Sequence, residues 1–318
     1  MINKELIQEH IALKNKRGFT DKEYDTFFDG KVLQICFYSK GCRFSKSGSC
    51  IMCDYGKPRK NNLSSNDIKE IMTKVLNKKS PKVLLINSLG SIFDYLEMPK
   101  ENIITLLDCI SKTNIKVIVF ESHYTSINKD LLNLVKEKLK DKEIEIELGF
   151  ESYNDIYRRK CLNKIIDNEK FKETISLIKS YGFKVEANCL FGMPFISLEK
   201  QFEDTIESIK WLVNNGVSLV NLFPMNIKPY TLLYKLYKEG IYKPVKHKDF
   251  ITLLKKIPIE YIDKIYLCWY GNRTLDYSKD ETVLPIIDGY DYEKLMKFYQ
   301  TFNIHKDKNY RLNLLKSI

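Results

Sequence analysis

Three of the chain's eight cysteines, Cys42, Cys50 and Cys53, fall within the stretch GCRFSKSGSCIMCDYG, residues 41–56. A structural zinc site usually takes four Cys or His ligands. No fourth ligand is local: His10 lies upstream and His123 follows a different strand. Three thiolates suit a 4Fe–4S cluster with one iron left open to a small ligand. Gly41 and Gly48 let such a loop fold tightly, and Lys40, Arg43 and Lys46 are the nearby cations that would offset thiolate charge. Cys36, Cys109, Cys161, Cys189 and Cys268 lack ligand spacing, and most of them read as small buried hydrophobes. A zinc-stabilised nucleic-acid-binding module without catalysis is the alternative. It fits Cys-x2-Cys and the basic charge, but not the lone Cys42.

The elements around this loop read as strand–helix units. Apolar, β-branched runs predict strands at 32–38, 82–87, 116–121, 144–150, 184–190 and 217–223. Helix-period segments follow at 65–78, 100–112, 128–140, 168–181, 198–215 and 231–239, with Gly182 and Gly216 placed as C-terminal caps. Six such units with short connections imply a parallel α/β sheet with right-handed crossovers. Six is fewer than the eight of a closed barrel. The expected architecture is therefore an open partial (β/α)6 TIM-like barrel with a short C-terminal extension. Residues 1–30 read as a helical lead-in, 31–245 as the barrel and 246–318 as an aromatic-rich extension packing on it. Function should gather at the carboxyl ends of the strands, and the cysteine loop follows the first of them.

The chain's 318 residues, 44% hydrophobic, suffice for one large or two smaller domains. The charged N-terminus lacks the apolar stretch of a secretory signal, and no run of about 18 apolar residues suggests a membrane span. A cytoplasmic location follows as an expectation, and there clustered cysteines mean metal or redox chemistry, not disulfides. The net charge of +11 favours anionic partners. However, many lysines alternate with glutamates, as in NLVKEKLKDKEIEIE, which also describes a solvated helix face.

The Cys-x7-Cys-x2-Cys loop after the first strand resembles the radical S-adenosylmethionine (SAM) superfamily. The long first gap departs from the commonest Cys-x3-Cys-x2-Cys spacing and narrows the likeness to the elongator-type and archaeosine-synthase branch. INSLGSIFD (86–94), VFESHY (119–124), IELGFES (146–152) and NLFPMNIKPYTLLYKLYKEGIYKP (221–244) occur in that family's order. The resemblance implies a 4Fe–4S cluster on Cys42, Cys50 and Cys53, reductive cleavage of SAM to a 5′-deoxyadenosyl radical, and abstraction of a substrate hydrogen. It also implies a reducing partner such as flavodoxin or ferredoxin. Asn87, Ser88 and Gly90 would lie beside the SAM amino group. Glu151 and Asn188 would meet the ribose or substrate, and Gly192 would let backbone approach the adenine. Glu121 and His123, after the third strand, are the catalytic candidates, His123 as a proton donor. Asn221 and Asn226 would help close the pocket, as would Trp269, Tyr270 and Arg273, although Trp269 could instead plug the barrel base. Arg158, Arg159 and Lys160 are either phosphate contacts or a solvated face. A free small molecule or peptide is the preferred substrate over a modified nucleoside in tRNA, because no RNA-binding domain is visible in the short extension.

Overall fold

Seven apolar runs, each able to bury one face under helices, build a parallel sheet here, and one short strand pairs antiparallel at its edge. The computed structural model describes residues 1–55, 59–77, 81–271 and 282–318. Its strands are β1 (Tyr24–Phe28), β2 (Val32–Phe37), β3 (Val83–Ser88), β4 (Val117–Ser122), β5 (Glu143–Glu151), β6 (Lys184–Phe191), β7 (Leu219–Pro224) and β8 (Ile265–Leu267). They pair in sequence order. Only β1 runs antiparallel to its neighbour β2; the remainder are parallel. The sheet curls into an open half-barrel, as the repeated strand–helix units require.

Helices α1 (Lys4–Asn15) and α2 (Arg43–Lys46) precede the crossover helices α3 (Ser65–Leu76), α4 (Lys100–Ser111) and α5 (Lys129–Lys138). A single turn, α6 (Asp155–Tyr157), runs into a π-helical turn, Arg158–Leu162, before α7 (Asn168–Ser180). Then come α8 (Leu198–Asn214), α9 (Leu232–Lys238), α10 (His247–Lys256), α11 (Ile259–Ile262), α12 (Tyr292–Ile304) and α13 (Lys308–Ser317). Local chemistry sets their ends. Ser64 and Asp67 form a reciprocal capping box on α3. Gly182 and Gly216, at φ +82° and +96°, follow α7 and α8 in the left-handed conformation that ends a helix.

Strand alternation divides the sheet's residues between two faces. Leu84, Ile86, Ile118, Phe120, Ile146, Leu148, Val185, Ala187, Val220 and Leu222 are fully buried under the helices. Their neighbours in sequence face the lumen of the half-barrel. All six expected strands and their following helices occur, with ends shifted by a few residues. Two strands were not expected. β1 lies inside the segment read as purely helical: YDTFF has the aromatic and β-branched residues of a strand but gains a partner only when β2 presents its edge. β8 is three residues long and takes its partners from β7, too short a run for periodicity to mark.

Candidate active site

The cysteine loop leaves β2 at the carboxyl rim. Gly41 turns the chain at φ +81°, and Cys50 sits at φ +58°, a conformation uncommon for a residue with a Cβ. The Cys53 amide donates to the Cys50 carbonyl at 2.8 Å. All three thiols thereby reach the wall of one cavity of about 1010 Å3 that fills the half-barrel.

Three elements distant in sequence hold the loop. After β3, the buried Glu97 carboxylate accepts from the Arg43 and Ser91 amides, both at 2.6 Å, and Arg43 Nε pairs with Asp94 Oδ2 at 2.6 Å. After β5, the π-turn carries the Leu162 carbonyl to the Ile51 amide at 3.0 Å and Asn163 Nδ2 to the Gly48 carbonyl at 2.7 Å. From α1, the Lys14 ammonium donates to Ser45 Oγ inside the loop. Gly90 is required between two of these contacts: a Cβ there would lie 2.0 Å from Glu97 Oε2 and 2.9 Å from Cys42 Cα. Replacing Glu97 by Gln leaves one of the two amides without an acceptor and sets an NH2 against it. We expect a loss of about 1–3 kcal/mol, read as a lower Tm and faster loss of iron to a chelator. Wild-type values in both would show that the loop stands without this clamp.

Burial raises the thiol pKa values to about 11 for Cys42 and Cys50 and about 12 for Cys53, and each thiol's charge opposes that of another. Free thiolates are therefore disfavoured here, whereas a bound metal deprotonates its thiols outright. Among the described residues, no three or more His, Cys, Asp or Glu gather as one metal ion would need. A cubane cluster does not need that convergence, because each thiolate binds a different iron. Three half-buried thiols opening on one roomy cavity fit such a cluster, and the Tyr55 amide adds a hydrogen bond to Cys53 Sγ at 3.4 Å.

The cations that face the thiols are not the local ones. Lys40, Arg43 and Lys46 are exposed. Lys14 and Lys164 are buried instead, and their charges bear on Cys50. Lys164 Nζ donates to Glu151 Oε2 at 2.5 Å and to the Gly149 carbonyl at 3.1 Å. Burial alone would depress the Lys164 ammonium, but the charges of Glu151, Cys50 and Cys53 outweigh it and raise its pKa.

Asn87, Gly90, Glu121, His123, Glu151 and Asn188 line the same cavity as the cysteines. Asn87 Nδ2 donates to Glu121 Oε2 at 2.9 Å, and Tyr55 Oη to Glu121 Oε1 at 3.4 Å. Glu151 is held by Lys164 at a positive φ of +67°. Ser88 and Gly192 do not join them. Strand alternation turns Ser88 away from the lumen into full burial, and Ser91 presents the hydroxyl on that loop, 2.6 Å from Ser122 Oγ. Gly192 packs where a Cβ would lie 2.2 Å from Val245 Cγ2 and is not among the cavity-lining residues.

His123 stacks on Phe44 with ring centroids 4.2 Å apart, and its Nδ1 accepts from the Thr125 amide at 3.3 Å. Burial, with the charges of Lys164 and Arg43, lowers its pKa to about 3. It is thus neutral near pH 7, with Nε2–H left as its donor.

Arg158 is fully buried, bonded to the Ser152 and Ile166 carbonyls and to Asn168 Oδ1. It belongs neither to a solvated face nor to a phosphate contact; only Arg159 and Lys160 are exposed. Trp269 follows β8 at the rim and lines the cavity with Asn221, Asn226 and Cys268, so it does not plug the base. Tyr270 packs on Tyr299, and Arg273 lies outside the described residues.

The lumen also holds three carboxylates that sequence reasoning missed, Glu145, Glu147 and Glu186. Glu121, Glu147 and Glu186 stand side by side on β4, β5 and β6, with Glu145 below them; all four line the cavity. Burial, a hydrogen bond that the protonated Glu186 gives to Glu145 and the charge of Glu147 raise the Glu186 pKa well above the usual carboxylate range. Asn221 Nδ2 donates to Glu186 Oε2 at 3.0 Å. The signal was present in EIEIELGFE and KVEANCLF. A strand buried on both faces reads as continuously apolar, so strict alternation with Glu and Asn marks a polar lumen.

An open parallel half-barrel with a three-thiol loop at its carboxyl rim defines an α/β enzyme built around an iron–sulfur cluster. Residues 37–209 match the Radical SAM superfamily, and the chain belongs to that superfamily, whose cofactors are a 4Fe–4S cluster and SAM. That membership sets aside the zinc-stabilised, non-catalytic alternative. The chain is 30% identical over 247 residues to an uncharacterised protein of Methanocaldococcus jannaschii, covering 74% of this chain and 67% of that one. It is 26% identical over 236 residues to the archaeosine synthase subunit beta of Methanosarcina acetivorans, covering 71% and 66%. It thus spans about two thirds of the length of these relatives. Among solved structures, methylornithine synthase aligns with TM-score 0.55 at 18% identity, covering 95% of this chain and 89% of that one.

Proposed function

We propose that this radical SAM enzyme holds its cluster on Cys42, Cys50 and Cys53 and acts on a nucleoside carried in tRNA. The observation that carries the cluster assignment is the arrival of three half-buried thiols, through turns at Gly41 and Cys50, on the wall of the lumen. A bound cluster supplies the electron that splits SAM into methionine and a 5′-deoxyadenosyl radical, which takes a hydrogen from the substrate. The protein's own work is positioning. Asn87 and the backbone at Gly90 lie beside the cysteine loop, where the amino group of SAM would sit. Glu151, anchored by Lys164, and Asn188 offer acceptors for ribose hydroxyls. Glu121, oriented by Asn87 and Tyr55, and the neutral His123 face the space left for the substrate. The reduced thiols suit the cytoplasm, with a flavodoxin or ferredoxin as electron donor.

The tRNA reading displaces the preference for a free small molecule. It is supported by the likeness to an archaeosine synthase subunit over 71% of the chain and by the net charge of +11. The acidic band of the lumen repels phosphate, so a base or its side chain would enter while the backbone stays at the rim. Arg159 and Lys160 are available there for phosphate; Arg158 is not. The enclosed lumen would equally accept a small metabolite, and the test separates the two. In anaerobic assays with SAM and a reductant, tRNA should raise 5′-deoxyadenosine formation. Substituting R159E and K160E should weaken tRNA binding and lower its log–log salt slope by roughly 0.7–0.9 for each phosphate contact removed. Unchanged 5′-deoxyadenosine with tRNA, and a flat salt dependence, would return the assignment to a small molecule.

A further inference from the structure

Lys14 projects from α1 into the cysteine loop and is only 9% exposed. Its ammonium donates to Ser45 Oγ, between Cys42 and Cys50. Each neighbouring cation has its own carboxylate: Lys164 has Glu151, Arg43 has Asp94 and Arg17 has Asp54. Lys14 forms no ion pair among the described residues, and the groups its charge acts on are Cys50, Cys53 and His10. His10, one helical turn earlier, is fully buried. Its Nδ1 accepts from the Leu232 amide at 3.0 Å, which docks α1 on α9. An imidazole carries no negative charge in either protonation state, so His10 offers Lys14 no counter-charge. An uncompensated buried ammonium is costly. The Cys50 and Cys53 thiols provide its negative partner only when they are ionised, as they would be when bound to iron.

We infer that Lys14 is the built-in counter-cation of the iron–sulfur cluster and that it raises the cluster's reduction potential. Reduction adds a negative charge to the cluster, and a fixed cation in a low-dielectric wall favours that charge far more than a solvated one does. The exposed Lys40 and Lys46 on the same loop are screened by water and salt, so the N-terminal helix, not the loop itself, carries the electrostatic control. The inference rests on the cluster assignment above.

The experiment is a redox titration of the reconstituted full-length protein, following the spectrum of the reduced cluster, with iron and sulfide counted in every sample. Lys14→Gln should load its cluster yet reduce less readily, with the reduction equilibrium constant down about tenfold, or about 59 mV for one electron. Lys14→Arg should restore the wild-type potential, and Lys46→Gln should leave it unmoved. A Lys14→Gln potential equal to wild type overturns the inference. So does a Lys14→Arg potential as low as that of Lys14→Gln, because a packing defect and not charge would then be at work. A Lys14→Gln protein that binds no cluster also overturns it, in favour of a role in holding the loop. Failure of the underlying assignment looks different: wild type itself would then bind no iron and sulfide.

Discussion

Cys42→Ala, Cys50→Ala and Cys53→Ala should each purify without a 4Fe–4S cluster and lose SAM cleavage by about a thousandfold or more, about 4 kcal/mol or more of barrier. The three thiols reach one cavity from one loop, and two thiolates leave two irons of a cubane open. Cys109→Ala and Cys189→Ala provide the contrast. Cys109 lies on α4 and Cys189 on β6, and neither lines the cavity among the described residues. Both variants should retain iron and activity, with only the modest stability cost of losing a half-buried thiol at Cys109 or a buried one at Cys189. Iron and sulfide analysis after anaerobic reconstitution, together with 5′-deoxyadenosine yield, decides the matter. Full iron content in any one of the three loop variants would remove that residue from the ligand set.

Removing the carboxylate of Glu151 should destabilise the apoprotein by about 3–5 kcal/mol, the usual effect of leaving one member of a buried ion pair alone. Glu151 and Lys164 are 9% and 10% exposed at their side chains. In Glu151→Gln the ammonium stays beside Cys50 and Cys53. Cluster-bound thiolates would partly replace the lost carboxylate, so the cluster-loaded variant should lose distinctly less stability than the apoprotein. The double variant Glu151→Gln/Lys164→Gln should recover much of the loss, since no bare charge remains buried. Denaturant unfolding of apo and loaded forms measures both effects. A loss below about 1 kcal/mol in the apoprotein would mean that water in the cavity solvates Lys164 well enough to make the pair dispensable.

Both predictions combine chemistry legible in the chain with contacts that are not. The cysteine spacing lies within twelve positions, so a loop of any fold would bring those thiols near one another. The alternation of apolar strands with helix-period segments, and caps such as Gly182 and Gly216, are likewise local, and they name an open parallel half-barrel. Glu121 and Glu151 could be placed at the rim because they end predicted strands. Ser88 shows where that reasoning stops. It neighbours Asn87 in sequence, but strand alternation turns it to the opposite face.

The sequence by itself determined the three-cysteine loop, the six strand–helix units and the superfamily, because propensity, periodicity and residue spacing act over a few residues. Only the tertiary structure decided which charges meet. It buried Arg158 while leaving Arg159 exposed, gathered Glu121, Glu147 and Glu186 from three strands, and brought Lys14 from α1 and Lys164 from just past the π-turn to the cysteine loop, past the closer Lys40 and Lys46. The physical reason is that a buried charge is set by everything packed around it. That surrounding shell comes from segments far apart in sequence, whose meeting is fixed by sheet order and helix packing and leaves no mark in local spacing.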